Sequence, residues 1–279
     1  MSANVADKGN VVVQGGYLPT SHGQIHYLET SPSGQTNVPD LLCLHPAPYS
    51  GEYYRSALPY LGGDRRVIAP DYPGYGGSSP LAARPAIGDY ADSLAQAFFA
   101  DDSTTSGSVD IVGFHSGCLV AAELALLAPA RVRRLVLIDV PCFDAATRDK
   151  MREKVAKPLP LERSLDCLTA PWEFNVGSRD GIVSLERSLE LFADQLRAGT
   201  RSHYCFDAAF RYDCDARLPL LECPVTVVAT TSPLTQATHA AAALLPNATL
   251  IELPDITTSV FEQNVAQIAQ SIDRILRND

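Results

Sequence analysis

The sequence predicts an α/β fold in which helices cover both faces of a mostly parallel sheet. Short, continuously apolar runs alternate with segments of helical periodicity, and such runs are typical of strands buried on both faces. With 279 residues, the chain is long enough for one large domain, or for one domain that carries an inserted module. One long helical segment interrupts the alternation. We therefore predict eight strands and a single helical insertion.

The eight predicted strands fall into two groups. An early pair, near residues 11–19 and 23–30, predicts an antiparallel hairpin at one edge of the sheet. The remaining six predict its parallel part, and they read VPDLLCLHP, RRVIAP, SVDIVGF, RRLVLID, CPVTVVAT and ATLIELP.

Helical patterns fill the gaps between the strands. Two of them read IGDYADSLAQAFFAD and CLVAAELALLAP, and the last one reads VFEQNVAQIAQSIDRIL. The last pattern predicts a helix that packs one apolar face on the sheet. Its apolar residues at helical spacing are Phe261, Val265, Ile268, Ile272 and Ile275.

The interruption lies between the strands RRLVLID and CPVTVVAT. Residues 142–218 contain helical patterns such as SLERSLELFADQLRAG and no convincing strand. We predict that this segment is a helical cap, inserted into a core that residues 1–141 and 219–279 form. Its aromatic residues are Trp172, Phe174, Tyr204, Phe206, Phe210 and Tyr212.

The composition limits the kinds of binding partner and the cellular compartment that we expect for this protein. The formal net charge of −10 argues against nucleic acid or an anionic membrane surface as a partner, and a small molecule is expected instead. The first residues lack the features of a signal peptide, and no apolar run approaches the ~20 residues of a membrane span, so a cytoplasmic protein is expected. The seven cysteines include no CxxC pair, which predicts reduced thiols and no zinc site. Neither a phosphate loop nor a metal-ligand cluster is visible, and we expect no cofactor. The sequence does not predict the oligomeric state.

Three stretches resemble the α/β-hydrolase superfamily. They read LLCLHPAPYSGEYYRSALPYL, RRVIAPDYPGYGGSSP and IVGFHSGCLVAAELALLAPARVRRLVLID, and the likeness extends over nearly the whole chain outside the insertion. The resemblance implies the α/β-hydrolase fold, with its cap domain where the helical insertion lies. It also implies that the amide of Ala47, in the HPAP loop, helps to bind an oxyanion.

The GFHSG segment resembles the superfamily's nucleophile elbow, whose pattern is Gly-x-nucleophile-x-Gly. The strand and helix nearly collide at this turn, so the residues two before and two after the central one must be small. Glycines flank His115 at these positions, whereas phenylalanine and cysteine flank Ser116. We therefore predict that His115 is central and that the Ser116 amide faces an oxyanion. A shifted elbow with Ser116 as nucleophile stays open.

The other members of a serine-hydrolase triad are absent from the positions that the resemblance implies. Ser232 stands in place of the acid and Thr258 in place of the histidine. Ser259 and Glu262 form a capping-box pattern for the last helix. Asp139 ends the strand RRLVLID, where haloalkane dehalogenases keep their acid, and it is a weaker catalytic candidate. Ordinary triad chemistry is therefore disfavoured.

Three functional hypotheses remain. The first is hydrolysis or acyl cleavage of a small, largely apolar carbonyl compound, with His115 as base or nucleophile and the Ala47 and Ser116 amides as an oxyanion hole. The second is lyase, isomerase or cyclase chemistry at the same site. The third is a binding protein without catalysis. Candidate substrate-binding residues are Tyr49, Tyr53, Trp172, His203 and Tyr204.

Overall fold

The structure, a computed structural model, has an eight-stranded, mostly parallel sheet. It describes residues 11–32, 34, 36–100, 104–105, 107–257 and 259–277. The strand order is β1-β2-β4-β3-β5-β6-β7-β8, and only the β1–β2 and β2–β4 pairs are antiparallel. The strands are β1 Gln14–Thr20, β2 Gly23–Thr30, β3 Leu41–Leu44, β4 Val67–Pro70, β5 Val109–Phe114, β6 Val132–Ile138, β7 Val225–Thr230 and β8 Ala248–Leu253.

Helices lie on both faces of this sheet. The α-helices are α1 Leu58–Leu61, α2 Ile87–Phe98, α3 Ser116–Leu127, α4 Ala145–Val155, α5 Thr169–Asn175, α6 Leu185–Arg197, α7 Tyr204–Arg211, α8 Cys214–Arg217, α9 Thr235–Leu244 and α10 Val265–Arg277. Short 3-10 helices are Gly51–Tyr54, Pro129–Arg131, Leu165–Leu168, Gly177–Arg179, Gly199–Arg201 and Leu218–Leu220.

The central strands are apolar throughout because both of their faces are buried. In β6, Leu135 and Leu137 pack into a cluster with α2 and α3. Val136 and Ile138 point the other way, into a cluster with α1 and α10. This alternation follows from the two-residue period of a strand. The prediction of an α/β fold with a mostly parallel sheet is confirmed.

The segment between β6 and β7 is helical. It holds α4 to α8, and residues 142–218, all of which are described, contain no strand. Hydrogen bonds tie it to the loop after β3: the backbone N–H and the hydroxyl of Ser50 both donate to the Asp194 carboxylate, at 2.8 and 2.7 Å. That the segment acts as a cap remains a prediction.

The last helix begins later than the capping-box pattern indicated. α10 starts at Val265, and residues 260–263 form turns. The Glu262 side chain does not cap the helix, because it accepts a hydrogen bond from Arg187 Nη2 at 3.4 Å. The contact with Arg187, which is distant in sequence, thus engages the Glu262 side chain that the local pattern predicted as part of a capping box. Thr258, the residue in the histidine's position, lies outside the described residues.

Two further observations concern membranes and metals. Within the described ranges, no helix combines the length and apolar character that crossing a membrane requires. The same residues include no group of three or more histidine, cysteine, aspartate or glutamate side chains placed to hold a metal ion.

Candidate active site

The turn between β5 and α3 has one strained residue, His115. Its φ of 49° and ψ of −121° lie where residues with a side chain are seldom found. Ser116 follows as the first residue of α3. A Cβ atom added at Gly113 would lie 2.6 Å from the Gly117 carbonyl oxygen, and one added at Gly117 would lie 2.1 Å from the Leu44 oxygen. Glycine is therefore required on both sides of His115 by the close approach of backbone to backbone.

His115 lies in the wall of a cavity of about 240 Å³. Its ring packs against the Phe114 ring, with the centroids 4.0 Å apart. No side chain or backbone group in the described part of the chain forms a hydrogen bond with the imidazole. Burial lowers the pKa of His115 to about 4, an effect that the nearby charge of Asp139 opposes. The imidazole is therefore neutral near pH 7, with ring nitrogens available to a ligand.

Asp139 lines the same cavity but does not orient His115 by a hydrogen bond. It follows β6, is completely buried and has a φ of 52°. Its carboxylate accepts hydrogen bonds from the Thr230 backbone N–H at 2.9 Å and from the Thr230 hydroxyl at 2.6 Å. The hydrogen bonds of Asp139 thus connect the ends of β6 and β7. The carboxylate contributes a negative charge to the cavity wall.

The two residues predicted to form an oxyanion hole lie next to each other. The Ala47 backbone N–H donates to the Ser116 hydroxyl oxygen at 2.8 Å, and Ser116 is almost completely buried. The Ser116 N–H is at the start of α3, where a helix leaves its first amides without an intrahelical acceptor. A ligand oxygen that binds to the Ala47 amide must therefore displace the Ser116 hydroxyl.

The cavity wall includes two of the five candidate substrate-binding residues. Tyr49 and Tyr53 line it, and their rings stack with a centroid separation of 5.1 Å. Trp172, His203 and Tyr204 are not among its lining residues. Trp172 is 43% exposed and packs against Phe192, whereas the His203 and Tyr204 rings contact each other.

Two residues of the helical segment contribute to the wall in their place. Phe174, at the end of α5, and Arg179, in the next 3-10 helix, both line the cavity. Phe174 belongs to the aromatic cluster of the insertion, so composition gave a partial indication of it. Arg179 stands in an ordinary loop sequence, GSRDG, and carries no sequence signal.

His45 holds the loop that carries Ala47. It is completely buried, its Nε2 accepts a hydrogen bond from the Tyr72 backbone N–H at 3.1 Å, and its Nδ1 lies 3.2 Å from the Pro46 carbonyl oxygen. Because an amide must donate to Nε2, the proton of the neutral ring is on Nδ1. Burial lowers the pKa of His45 to about 4. This histidine is structural.

The buried, neutral His45 predicts a loss of stability in acid. A folded-state pKa below the unfolded value of 6.5 means that the unfolded chain binds the proton first, so stability is full above about pH 6.5 and falls towards pH 4. Between about pH 7 and pH 5, His45 alone is expected to lower the free energy of unfolding by about 2 kcal/mol. Urea unfolding of wild type and His45→Asn at both pH values measures this contribution.

The wild-type and His45→Asn stabilities should converge as the pH falls, because the wild type carries the His45 penalty in addition to that of His115, which both proteins share. His22→Asn, at an exposed histidine, is the matched control and should follow the wild type. Parallel losses in wild type and His45→Asn would contradict the prediction.

The chain resembles known hydrolases in part of its sequence. A family model described as alpha/beta hydrolase fold matches residues 39–159. A pimeloyl-[acyl-carrier protein] methyl ester esterase from Aromatoleum aromaticum is 36% identical over 134 residues, which are 48% of each chain. A 2-hydroxymuconate semialdehyde hydrolase from a Pseudomonas species is 31% identical over 142 residues, 50% of this chain and 41% of that one. The chain thus spans about half the length, or less, of the curated relatives it matches.

Solved structures match over nearly the whole chain. A bromoperoxidase from Bacillus anthracis superposes with a TM-score of 0.76 at 17% identity, covering 95% of this chain and all (100%) of that one. An enol-lactonase from Burkholderia xenovorans gives 0.72 at 14% identity, covering 94% of this chain and 100% of that one. At such identities the likeness shows the fold alone. The predicted α/β-hydrolase fold is confirmed, and the family match supports the superfamily that the sequence motifs resemble.

Proposed function

We propose that this protein is an enzyme that cleaves an acyl bond in a small carbonyl compound, with His115 as the reacting group. The observation that carries the proposal is the neutral imidazole of His115, without a hydrogen-bond partner among the described residues, on a strained turn in a cavity wall. A strained residue persists only where its surroundings enforce it, and such residues cluster at functional sites. The relatives named as an esterase and a hydrolase agree with this class of reaction.

The environment of His115 favours attack as a nucleophile over proton abstraction. A general base must pass on the proton that it takes up, and no side chain in the described part of the chain is hydrogen-bonded to His115 to accept it. A neutral imidazole nitrogen can instead attack the carbonyl carbon and expel the alcohol. The leaving alkoxide takes up the proton of the resulting acyl-imidazolium, and water then hydrolyses the acyl group and restores His115. Lyase or isomerase chemistry would need a proton relay from His115, so we rank it lower.

Oxyanion stabilisation in this scheme uses two backbone amides. The Ser116 N–H lies at the start of α3, and the Ala47 N–H is released when a ligand oxygen replaces the Ser116 hydroxyl. Backbone donors fixed before the reaction stabilise charge that develops in the transition state. Ser116 then supplies its amide, and its hydroxyl occupies the oxyanion position in the free protein.

Single substitutions at the elbow test the roles of its two residues. With p-nitrophenyl acetate as the probe, His115→Ala is expected to lower kcat/KM by about 100-fold or more, because it removes the nucleophile. Ser116→Ala keeps the backbone amide and is expected to retain activity within about tenfold. Exposed His239 provides the control His239→Ala, which should match the wild type. Rapid-quench mass spectrometry with fragmentation of the labelled peptide should place the acetyl group on His115 and not on Ser116.

The opposite pattern would overturn the assignment. If Ser116→Ala abolishes turnover and His115→Ala does not, the elbow is shifted and Ser116 is the nucleophile. If both variants retain turnover, the hydrolysis takes place outside this site.

A second candidate, a binding protein without catalysis, rests on the Ser116–Ala47 hydrogen bond. This bond satisfies a donor that an oxyanion hole would leave free. For a binding protein, a panel of small esters should compete for the cavity without being turned over by the wild type. His115→Ala should then leave their affinities nearly unchanged.

A further inference from the structure

One nitrogen of Arg179 is buried in the structure without a partner. Arg179 ends the 3-10 helix Gly177–Arg179 and lines the cavity that contains His115. Its Nη1 atom has lost contact with solvent and has no hydrogen-bond partner within the described structure. An unpaired buried donor on a charged group costs more than a neutral one, because both its solvation and its hydrogen bonds are lost. A ligand that supplies an acceptor at this point would remove that cost.

The guanidinium group is held in a fixed position by a chain of hydrogen bonds. Arg179 Nη2 donates to the Tyr49 hydroxyl at 2.8 Å, and this hydroxyl donates to Asn175 Oδ1 at 2.8 Å. Asn175 is completely buried, and its Nδ2 donates to Gln195 Oε1 at 2.6 Å. The guanidinium carbon also lies 5.7 Å from the centroid of the Tyr49 ring. A donor fixed in this way loses little conformational entropy when a ligand binds.

The charge of Arg179 has no carboxylate partner in the described chain. Glu262 is close enough to be affected by the charge, but it forms no ion pair with Arg179. Its Oε1 accepts from Arg187 Nη2 at 3.4 Å, and its Oε2 is buried without a hydrogen-bond partner among the described residues. Asp139 lines the cavity too, and Thr230 occupies its oxygens. The cavity wall therefore carries the positive charge of Arg179, with an unused hydrogen-bond donor at Nη1, in addition to the imidazole of His115.

We propose that Arg179 binds a carboxylate group of the substrate while the carbonyl carbon of the same molecule reaches His115. The identity of the reacting end rests on the function proposed above, whereas the carboxylate site rests on Arg179 alone. A single free donor and the negative charges of Asp139 and Glu262 favour a monoanion, such as a carboxylate, over a phosphate dianion. The substrate class is thus a small oxo acid or the half-ester of a dicarboxylic acid, and not the largely apolar compound that the sequence indicated.

Equilibrium binding tests the carboxylate site without requiring turnover. The probes are 5-oxohexanoate and its neutral counterpart 5-oxohexanamide, measured by isothermal titration calorimetry at neutral pH. Wild type is expected to bind the carboxylate about tenfold more tightly or better, in keeping with a hydrogen bond to a charged group. Arg179→Gln should abolish the preference. Arg163→Gln makes the same change at an exposed arginine of the helical segment and should keep it.

Two further variants separate this proposal from the proposed function. His115→Ala should lose ester turnover and keep the preference for the carboxylate. Arg179→Lys retains a cation and should keep part of the preference, which guards against misreading a folding defect in Arg179→Gln. Equal affinities of wild type for the two probes, no saturable binding of either, or an unchanged preference in Arg179→Gln would each overturn the carboxylate site. A preserved preference in a protein without any esterase activity would overturn only the proposed function.

Discussion

Replacing Asp71 with alanine is expected to lower the free energy of unfolding by about 4 kcal/mol. Asp71 is almost completely buried just after β4, and its carboxylate accepts from the backbone N–H groups of Gly51 and Gly77 at 2.8 and 2.7 Å. His26 Nδ1 lies 2.8 Å from the same carboxylate. The substitution leaves the buried Gly51 N–H and the part-buried His26 and Gly77 donors without their acceptor, and it disconnects three segments of the chain at once.

Urea unfolding of Asp71→Ala, Asp71→Asn and a control measures the effect. Asp71→Asn retains one acceptor oxygen and is expected to lie between alanine and the wild type. Asp180→Ala makes the same change at an exposed position and should remain within about 0.5 kcal/mol of the wild type. If Asp71→Ala were as stable as Asp180→Ala, the hydrogen bonds of Asp71 would not contribute to stability as expected.

We expect Gly117→Ala to lower the free energy of unfolding by about 3 kcal/mol. The added Cβ would meet the Leu44 carbonyl oxygen at 2.1 Å and its carbon at 2.8 Å. Both atoms belong to the backbone of a central strand, so they cannot yield as the end of a flexible side chain would. The helix α3 must move away from β3, and this movement also displaces His115.

A second glycine in a helix provides the matched control for this prediction. Gly88 lies in the first turn of α2, and an added Cβ there meets nothing within 4 Å. Gly88→Ala is expected to stabilise the protein by about 0.5–1 kcal/mol, since alanine is the better helix former. Thermal melting of the two variants beside the wild type shows whether Gly117→Ala lowers the stability and Gly88→Ala raises it. Equal stability of the two would contradict the close approach at Gly117.

Local sequence predicted those features that depend on local geometry. The continuously apolar strands follow from burial on both faces, as in β6. The position of the strained residue at His115 follows from the spacing of Gly113 and Gly117, because a side chain at either position would collide with backbone. Such steric requirements depend only on the identity of a few neighbouring residues. They can therefore be predicted without information about distant parts of the chain.

Features that depend on distant partners could not be predicted in this way. The pattern of Ser259 and Glu262 is a sound local signal for a helix start, yet Arg187 from α6 binds the Glu262 side chain. Aromatic composition indicated a pocket in the insertion but not which residues face it, and Trp172 is 43% exposed. The contribution of Arg179 requires Tyr49 to meet it from the loop after β3.

The short segment from Tyr49 to Tyr54 serves two purposes at once. Tyr49 and Tyr53 form part of the cavity wall, while Tyr49 and Ser50 also bind Asn175 and Asp194 of the helical segment. An engineer who reshapes the cavity at Tyr49 therefore also loosens the attachment of the helical segment to the loop after β3. The Phe174 and Val260 side chains line the cavity without taking part in those hydrogen bonds. They are the positions at which the cavity can be redesigned while the helical segment keeps these hydrogen bonds.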